Sequence, residues 1–538
     1  MSNLRKYFSL SSITTYIISI LILLPILVLT FNFLGGSNKI WEHLYNTVLV
    51  GYLANTMLLL LGVGLISFVI GVSCAWIVTA YEFKGRAFFE WALVLPLAIP
   101  PYVAAYSYSG IFDFTSPLSL YTTEFTGYTN VFANFMSLRS LVLILSMIMY
   151  PYIYLFAKTA FANQSVKLLG ASRTLGSTSV RTFFWVALPL ARPMLAGATS
   201  IVFMELLNDY GAMKYYGVDT ITTAICQVWF SFNDVLAATK LAVLLMLISM
   251  VIIGVEQLMR FRGAYTQPDT NTITVSRIKL NGYKLVVALF VCCVPFIFGF
   301  VLPIAQQIYW FSIYKTTIVS ATLFEWAINS IKMSLLASVI AVALALLFLY
   351  TVVESKNKIQ KLLTRFVGIG YVFPGAVLAI GIIIPFIFVH NYFAQHYEGY
   401  NLQNGLIIGG TIALVFGYVV RFLVFPLTII HSENEKIATK VIEAAILLGK
   451  SKWSSFFKIN LPLLKKSILV GGLLVFINVL KEIPLTIILR PFNFETLATK
   501  SFELAKNEMV GEAAGLSLII ILLSSIPVLV LYKLFFRK

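Results

Sequence analysis

Four ionisable side chains stand in stretches otherwise too apolar to hold them. Glu205 and Asp209 lie in MLAGATSIVFMELLNDYGAM, and Lys481 and Glu482 in VGGLLVFINVLKEIPLTIIL. A charge at membrane depth costs roughly 2.5–3.5 kcal/mol, so such groups face a cavity or a partner. Their chemistry is to bind and pass a polar solute, or else to pair with one another and lock helices. Glu205 and Asp209 are four residues apart and predict a shared helix face, whereas the neighbours Lys481 and Glu482 must point apart. Catalysis is a poor reading: the chain has no nucleophile elbow and no HExxH pair. Gly449, Lys450 and Ser451 spell the end of a phosphate-binding loop, but Ala444 stands where its first Gly is required and no strand precedes it, so the chain has no nucleotide site of its own. The segment from His390 to Glu398 has donor types that a metal accepts. It lacks a defined ligand geometry and reads as an aromatic interface belt, which leaves metal binding unassigned.

The elements that position these groups are membrane helices. Of 538 residues, 59% are apolar and 11% charged, and the mean hydropathy is +0.90, far from the quarter or so of charged residues in a soluble domain. Cys74, Cys226, Cys292 and Cys293 are too scattered for a disulfide framework or a CxxC site and read as small apolar fillers. Twelve runs are long enough to span a bilayer: residues 12–33, 55–80, 89–111, 133–157, 193–213 and 239–259, then 285–309, 329–353, 366–389, 403–427, 467–489 and 513–532. The first is too long for a signal-peptide core and is read as a retained span. With a cytoplasmic amino terminus, 29 of the 39 Lys and Arg fall on the inner side against 8 of the 22 acids. The net charge of +17 is therefore a topology signal, not a nucleic-acid footprint. Pro100, Pro101 and Pro374 interrupt the third and ninth spans, as kinks or as gate elements.

The spans fall into two similar sets of six. Asn55 matches Asn329, Pro100 matches Pro374, Gly176 matches Gly449 and Pro189 matches Pro462, each at an offset of 273 or 274 residues. Six is even, so both halves enter the membrane in the same sense and the repeat is parallel. A polar stretch from Arg262 to Lys284 links them. Between the fourth and fifth spans of each half lies one shared pattern: GASRTLGSTSVRTFFWVALPLARP from Gly170, and EAAILLGKSKWSSFFKINLPLLKK from Glu443. A Gly follows the opening position by six residues, and the Pro of Leu-Pro follows that Gly by thirteen. A short amphipathic helix ended by a Gly at positive φ makes a compact knob that can seat in a partner's groove and pass on a rigid-body movement.

In this spacing the chain resembles the ABC importer permeases with their cytoplasmic EAA loop. The resemblance implies an all-α polytopic membrane protein of about twelve helices in two parallel six-helix repeats, the type I ABC importer transmembrane fold. Residues 51–260 and 327–535 would be its two transmembrane type-1 domains. Residues 1–50 would carry the first helix and outer loop, 261–284 a cytoplasmic linker, and 285–326 the seventh helix and outer loop. It places ATPase-coupling knobs at Ala171, Ser172, Arg173, Thr174, Leu175 and Gly176, and at Glu443, Ala444, Ala445, Leu448 and Gly449. Gly170 departs from the pattern where Glu is usual. Glu205, Asp209, Lys481 and Glu482 would line the translocation pathway. The partners implied are two copies of an ABC ATPase that uses ATP and Mg, a periplasmic substrate-binding protein and membrane lipid, with no nucleic acid. The setting implied is a bacterial inner membrane with both termini cytoplasmic. Within the family the chain is similar to fused ferric iron permeases, through MELLNDYGAMKYYGVDTITTAI from Met204 and KEIPLTIILRPFNFETLATKSFELA from Lys481. Thiamine or phosphonate permeases are the alternative, and an ATP-independent secondary transporter is an alternative from another class.

Overall fold

The computed structural model of the chain describes residues 10–36, 38–127, 132, 134–162, 176–261, 277–318, 321–355, 358–396, 410–436, 447, 449 and 451–536. Among these, eight helices are long and apolar enough to cross a membrane. Four bent pairs raise the number of spans to as many as twelve. Their exposed faces carry large apolar side chains such as Leu61, Leu65, Phe290, Phe324 and Leu522, a surface suited to lipid and not to water.

Proline stands at two of the four breaks. Ile99, ahead of Pro100, is extended (φ −86°, ψ 122°), and Arg86–Ala98 meets Pro101–Ile111 at 94°. Phe373, ahead of Pro374, is likewise extended (φ −92°, ψ 131°), and Leu362–Val372 meets Gly375–Val389 at 113°. These are broken spans and not simple kinks. The fifth and eleventh spans also end earlier than expected, at Asn208 and Lys481, so neither runs on through residue 213 or 489.

The repeat is exact enough to recur hydrogen bond by hydrogen bond. The Asn55 side chain donates to the Asp219 carbonyl (2.9 Å) and the Thr56 hydroxyl accepts the Ile221 N–H (3.2 Å). In the second half Asn329 donates to the Glu495 carbonyl (3.3 Å) and Ser330 accepts the Leu497 N–H (2.7 Å). Thr220 with Thr223 and Thr496 with Thr499 form matching capping boxes. A π-helical turn lies at Phe183–Ala187 and again at Phe456–Asn460, 273 residues on.

The halves also embrace each other. The first span packs on the bent ninth span, and its Pro25 carbonyl lies so close to Gly381 that no side chain fits there. The seventh span packs on the first half, where Gly299 meets the Met147 carbonyl in the same way. One departure from the all-α expectation is a two-residue parallel pair, Tyr81–Glu82 with Ile278–Lys279. It ties the linker to the turn between the second and third spans.

Candidate translocation site between the halves

Glu205, Asp209, Lys481 and Glu482 converge, with Tyr102, Asn208 and Arg421, on one cavity where the halves meet. Its volume is about 70 Å³, room for a few water molecules.

The two acids past the helix ends are held alike. Asp209 is extended (φ −73°, ψ 112°), and its Oδ1 accepts the Ala212 N–H (3.1 Å) at the start of the short helix Gly211–Tyr215. Glu482 is extended (φ −71°, ψ 125°), and its Oε1 accepts the Leu485 N–H (3.3 Å) at the start of Pro484–Leu489. Each carboxylate thus meets the unsatisfied N–H groups that open the next helix. The expectation that Glu205 and Asp209 share one helix face is therefore corrected, because the helix ends between them. Lys481 and Glu482 do diverge as expected: the Lys481 ammonium donates to the Leu97 carbonyl of the first half, while Glu482 turns into the second.

The two halves are joined at Asn208. Its Oδ1 accepts from the Gly375 N–H (2.7 Å) and from Arg421 Nη1 (2.6 Å), and its Nδ2 donates to Glu482 Oε2 (3.2 Å). Arg421, 2% exposed, also approaches Glu482 (3.8 Å) and lies over the Tyr371 ring (5.9 Å). Tyr371 donates to Glu205. A side chain at Gly375 would strike Asn208, Arg421 and Glu482 together, so only Gly lets these groups close on one another. The contacts cross between repeats. Asn208 reaches the broken ninth span, and its counterpart Lys481 reaches the broken third.

Three acids thus face two bases, but unequally. Glu482 is matched by Arg421, whereas Asp209 Oδ2 is buried with no hydrogen-bond partner. Sequence reasoning missed Arg421, which a span over 403–427 would put near its inner end. The signal was present: it is a lone charge in the run ALVFGYVVRFLVFPL, a default functional position by the rule that picked out the other four.

Of the motif loops, Gly176 and Gly449 are described, and both adopt the predicted left-handed backbone, φ +80° and +83°. Ala171, Ser172, Arg173, Thr174, Leu175, Glu443, Ala444, Ala445 and Leu448 lie outside the described residues. Thr178 and Ser451, 273 residues apart, cap the helices that follow, accepting N–H groups at 3.3 and 3.2 Å. The stretch from His390 belongs to a helix that runs to His396, whose Nδ1 lies 2.8 Å from the Tyr392 carbonyl; Glu398 lies outside the described residues. Among the described residues no group of three His, Cys, Asp or Glu could hold a metal ion.

A repeated bundle of broken apolar helices around a buried polar seam is the build of a membrane permease. Residues 67–260 match the family of binding-protein-dependent transport system inner membrane components, and the chain as a whole is similar to ABC importer permeases. Over 512 residues it is 26% identical to the Fe(3+)-transport system permease protein FbpB 2 of Haemophilus influenzae, covering 93% of each chain. It is 30% identical over 148 residues to the molybdenum transport system permease protein ModB of Escherichia coli, covering 28% of this chain and 63% of that one. With a probable sulfate transport system permease protein cysT of Chlorella vulgaris it shares 23% identity over 206 residues, 37% of this chain and 76% of the relative.

Proposed function

We propose that this permease carries ferric iron across the inner membrane, inward, from a periplasmic binding protein. The observation that carries the reading is the likeness over 93% of both chains to a protein named as an Fe(3+) permease; the molybdenum and sulfate relatives match less than half of this chain. The site is compatible with it. A hard cation prefers oxygen ligands, and Glu205, Asp209 and Tyr102 present oxygens to the cavity. Lys481 and Arg421 suit a bare cation less well, which fits a cargo that passes through and does not rest there.

In this reading the loops ending at Gly176 and Gly449 each seat in one of two ATPase subunits, which use ATP and Mg, and both termini lie on that cytoplasmic side. Residues 51–260 and 327–535 act as the two transport domains, so one chain serves where two separate permeases would otherwise pair. The reading is tested by uptake of labelled ferric iron into proteoliposomes holding the chain with its ATPase and binding protein. ATP-dependent iron uptake that is abolished by Gly449→Asp supports it. ATP-dependent uptake of thiamine or a phosphonate instead of iron would sink the iron assignment and keep the permease. Uptake without any ATPase would favour a secondary transporter.

A further inference from the structure

A second charged cluster lies at the opposite end of the broken third span, on the membrane face that bears the motif loops. Glu90 Oε1 pairs with Lys158 Nζ (3.0 Å), and Glu90 Oε2 with Arg86 Nη1 (3.1 Å). Lys158 also donates to the Tyr532 hydroxyl (3.2 Å), and Tyr154 donates to the Glu90 carbonyl (3.0 Å). Lys158 lies four residues before the helix of the fourth span ends at Ala162, and the first motif loop opens at Gly170, eight residues further along the chain. Glu90 lies on the segment Arg86–Ala98, whose other end offers the Leu97 carbonyl to Lys481 of the second half. One short segment therefore has an ion pair to the end of the fourth span at one end and a bond to the central polar site at the other.

The second half has no such link among its described residues. At the repeat offset Glu90 becomes Thr364, which bonds only the Gln360 carbonyl of its own helix (2.8 Å). Lys158 becomes His431 or Ser432, which meet Glu435 (3.9 Å) and the Ile429 carbonyl (3.0 Å), again within their own helix. The ionic tie occurs in the half whose loop opens with Gly170 in place of Glu.

We propose that Glu90 and Lys158 are positioning residues that pass the ATPase-driven movement of the first motif loop along Arg86–Ala98 to the Leu97–Lys481 contact. The proposal rests on the coupling role given above to the motif loops. Movement passes between elements tied into one contiguous network, and the part-buried Glu90–Lys158 ion pair ties two helices together.

The test uses the full chain with its ATPase and binding protein, with Cys74, Cys226, Cys292 and Cys293 replaced by Ala and a bimane label at Leu97→Cys. The readout is the ATP-dependent change in label fluorescence, which does not depend on knowing the cargo. In Glu90→Gln and Lys158→Met that change is expected to fall at least threefold in complexes that still retain the ATPase. The double variant should be no worse than either single, because the two act as a unit. Lys158→Arg should restore at least half of the change, and Thr364→Ala should leave it unaltered. Full response in both neutral variants overturns the proposal. So does loss of assembly in both, since the pair would then hold the fold and transmit nothing. Retention of the ATPase by Gly176→Asp would instead overturn the coupling reading on which the proposal stands.

Discussion

The two halves share a scaffold and differ in their charges. Asn55 with Thr56 and Asn329 with Ser330 clamp their outer segments through the same two bonds. The π-turns, the left-handed glycines and the capping acids recur in place. Yet Arg421 has Met147 at its repeat position, Asn208 has Lys481, and the Glu90–Lys158 pair has no ionic counterpart among the described residues at the matching positions. Contacts that satisfy the backbone must occur wherever the fold occurs, because a backbone polar group left unpaired in lipid costs several kcal/mol. Side-chain charges carry no such obligation to recur, and they differ between the halves.

The largest effect that would sharpen this contrast is expected at Arg421. Its replacement by Met leaves Glu482 buried beside Asn208 without its counter-charge, a loss of about 3–5 kcal/mol. Met147→Ala, at the matching position, should cost about 1 kcal/mol. Thermal midpoints in detergent measure the difference, and Glu482→Gln added to Arg421→Met should recover part of it. Equal midpoints for the two single variants would break the comparison.

Next come the capping acids. Asp209→Ala and Glu482→Ala are each expected to cut binding-protein-dependent uptake by about tenfold, equivalent to about 1.4 kcal/mol, while the ATPase still co-purifies. Glu482→Ala should lower the thermal midpoint more than Asp209→Ala, since it strands Arg421 as well as removing a cap. Normal uptake by both variants removes these residues from the pathway.

At the motif loops, Gly176→Asp and Gly449→Asp force a side chain into the left-handed region at about 1–2 kcal/mol each. Both should reduce ATPase retention on the purified complex, with a fall in thermal midpoint no larger than that strain accounts for. A loss at Gly449 alone would mean that the first loop, which opens with Gly170 in place of Glu, does not couple. The smallest effects are expected at the clamps: Asn55→Ala and Asn329→Ala should each cost about 1 kcal/mol, equally. A marked inequality in their thermal midpoints would show that the shared scaffold is shared in geometry only.

Much of the architecture was legible in the residues. Span number follows from apolar length, the parallel repeat from matched Asn, Gly and Pro, and the left-handed glycines from the end of a predicted knob. Less of the site was. Asp209 and Glu482 stood out as intramembrane charges, but the helix breaks just before them do not show in hydropathy, which counts apolar residues and is blind to where an N–H finds its acceptor. Arg421 hid in the charge asymmetry, because the same count that orients a chain absorbs any cation near a span end.

Sequence by itself determined that the chain crosses a membrane many times, that it does so as two parallel halves, and that each half carries a loop with a glycine suited to left-handed backbone. Those properties are local or periodic, set by burial of apolar length and by the φ a glycine allows. Only the tertiary structure decided that Asn208 of one half sits among Gly375, Arg421 and Glu482 of the other, that Asp209 is left without a counter-charge, and that Glu90 reaches Lys158. These contacts join residues from tens to hundreds of positions apart. Their partners are chosen by how helices cross and where prolines break them, which no local pattern encodes.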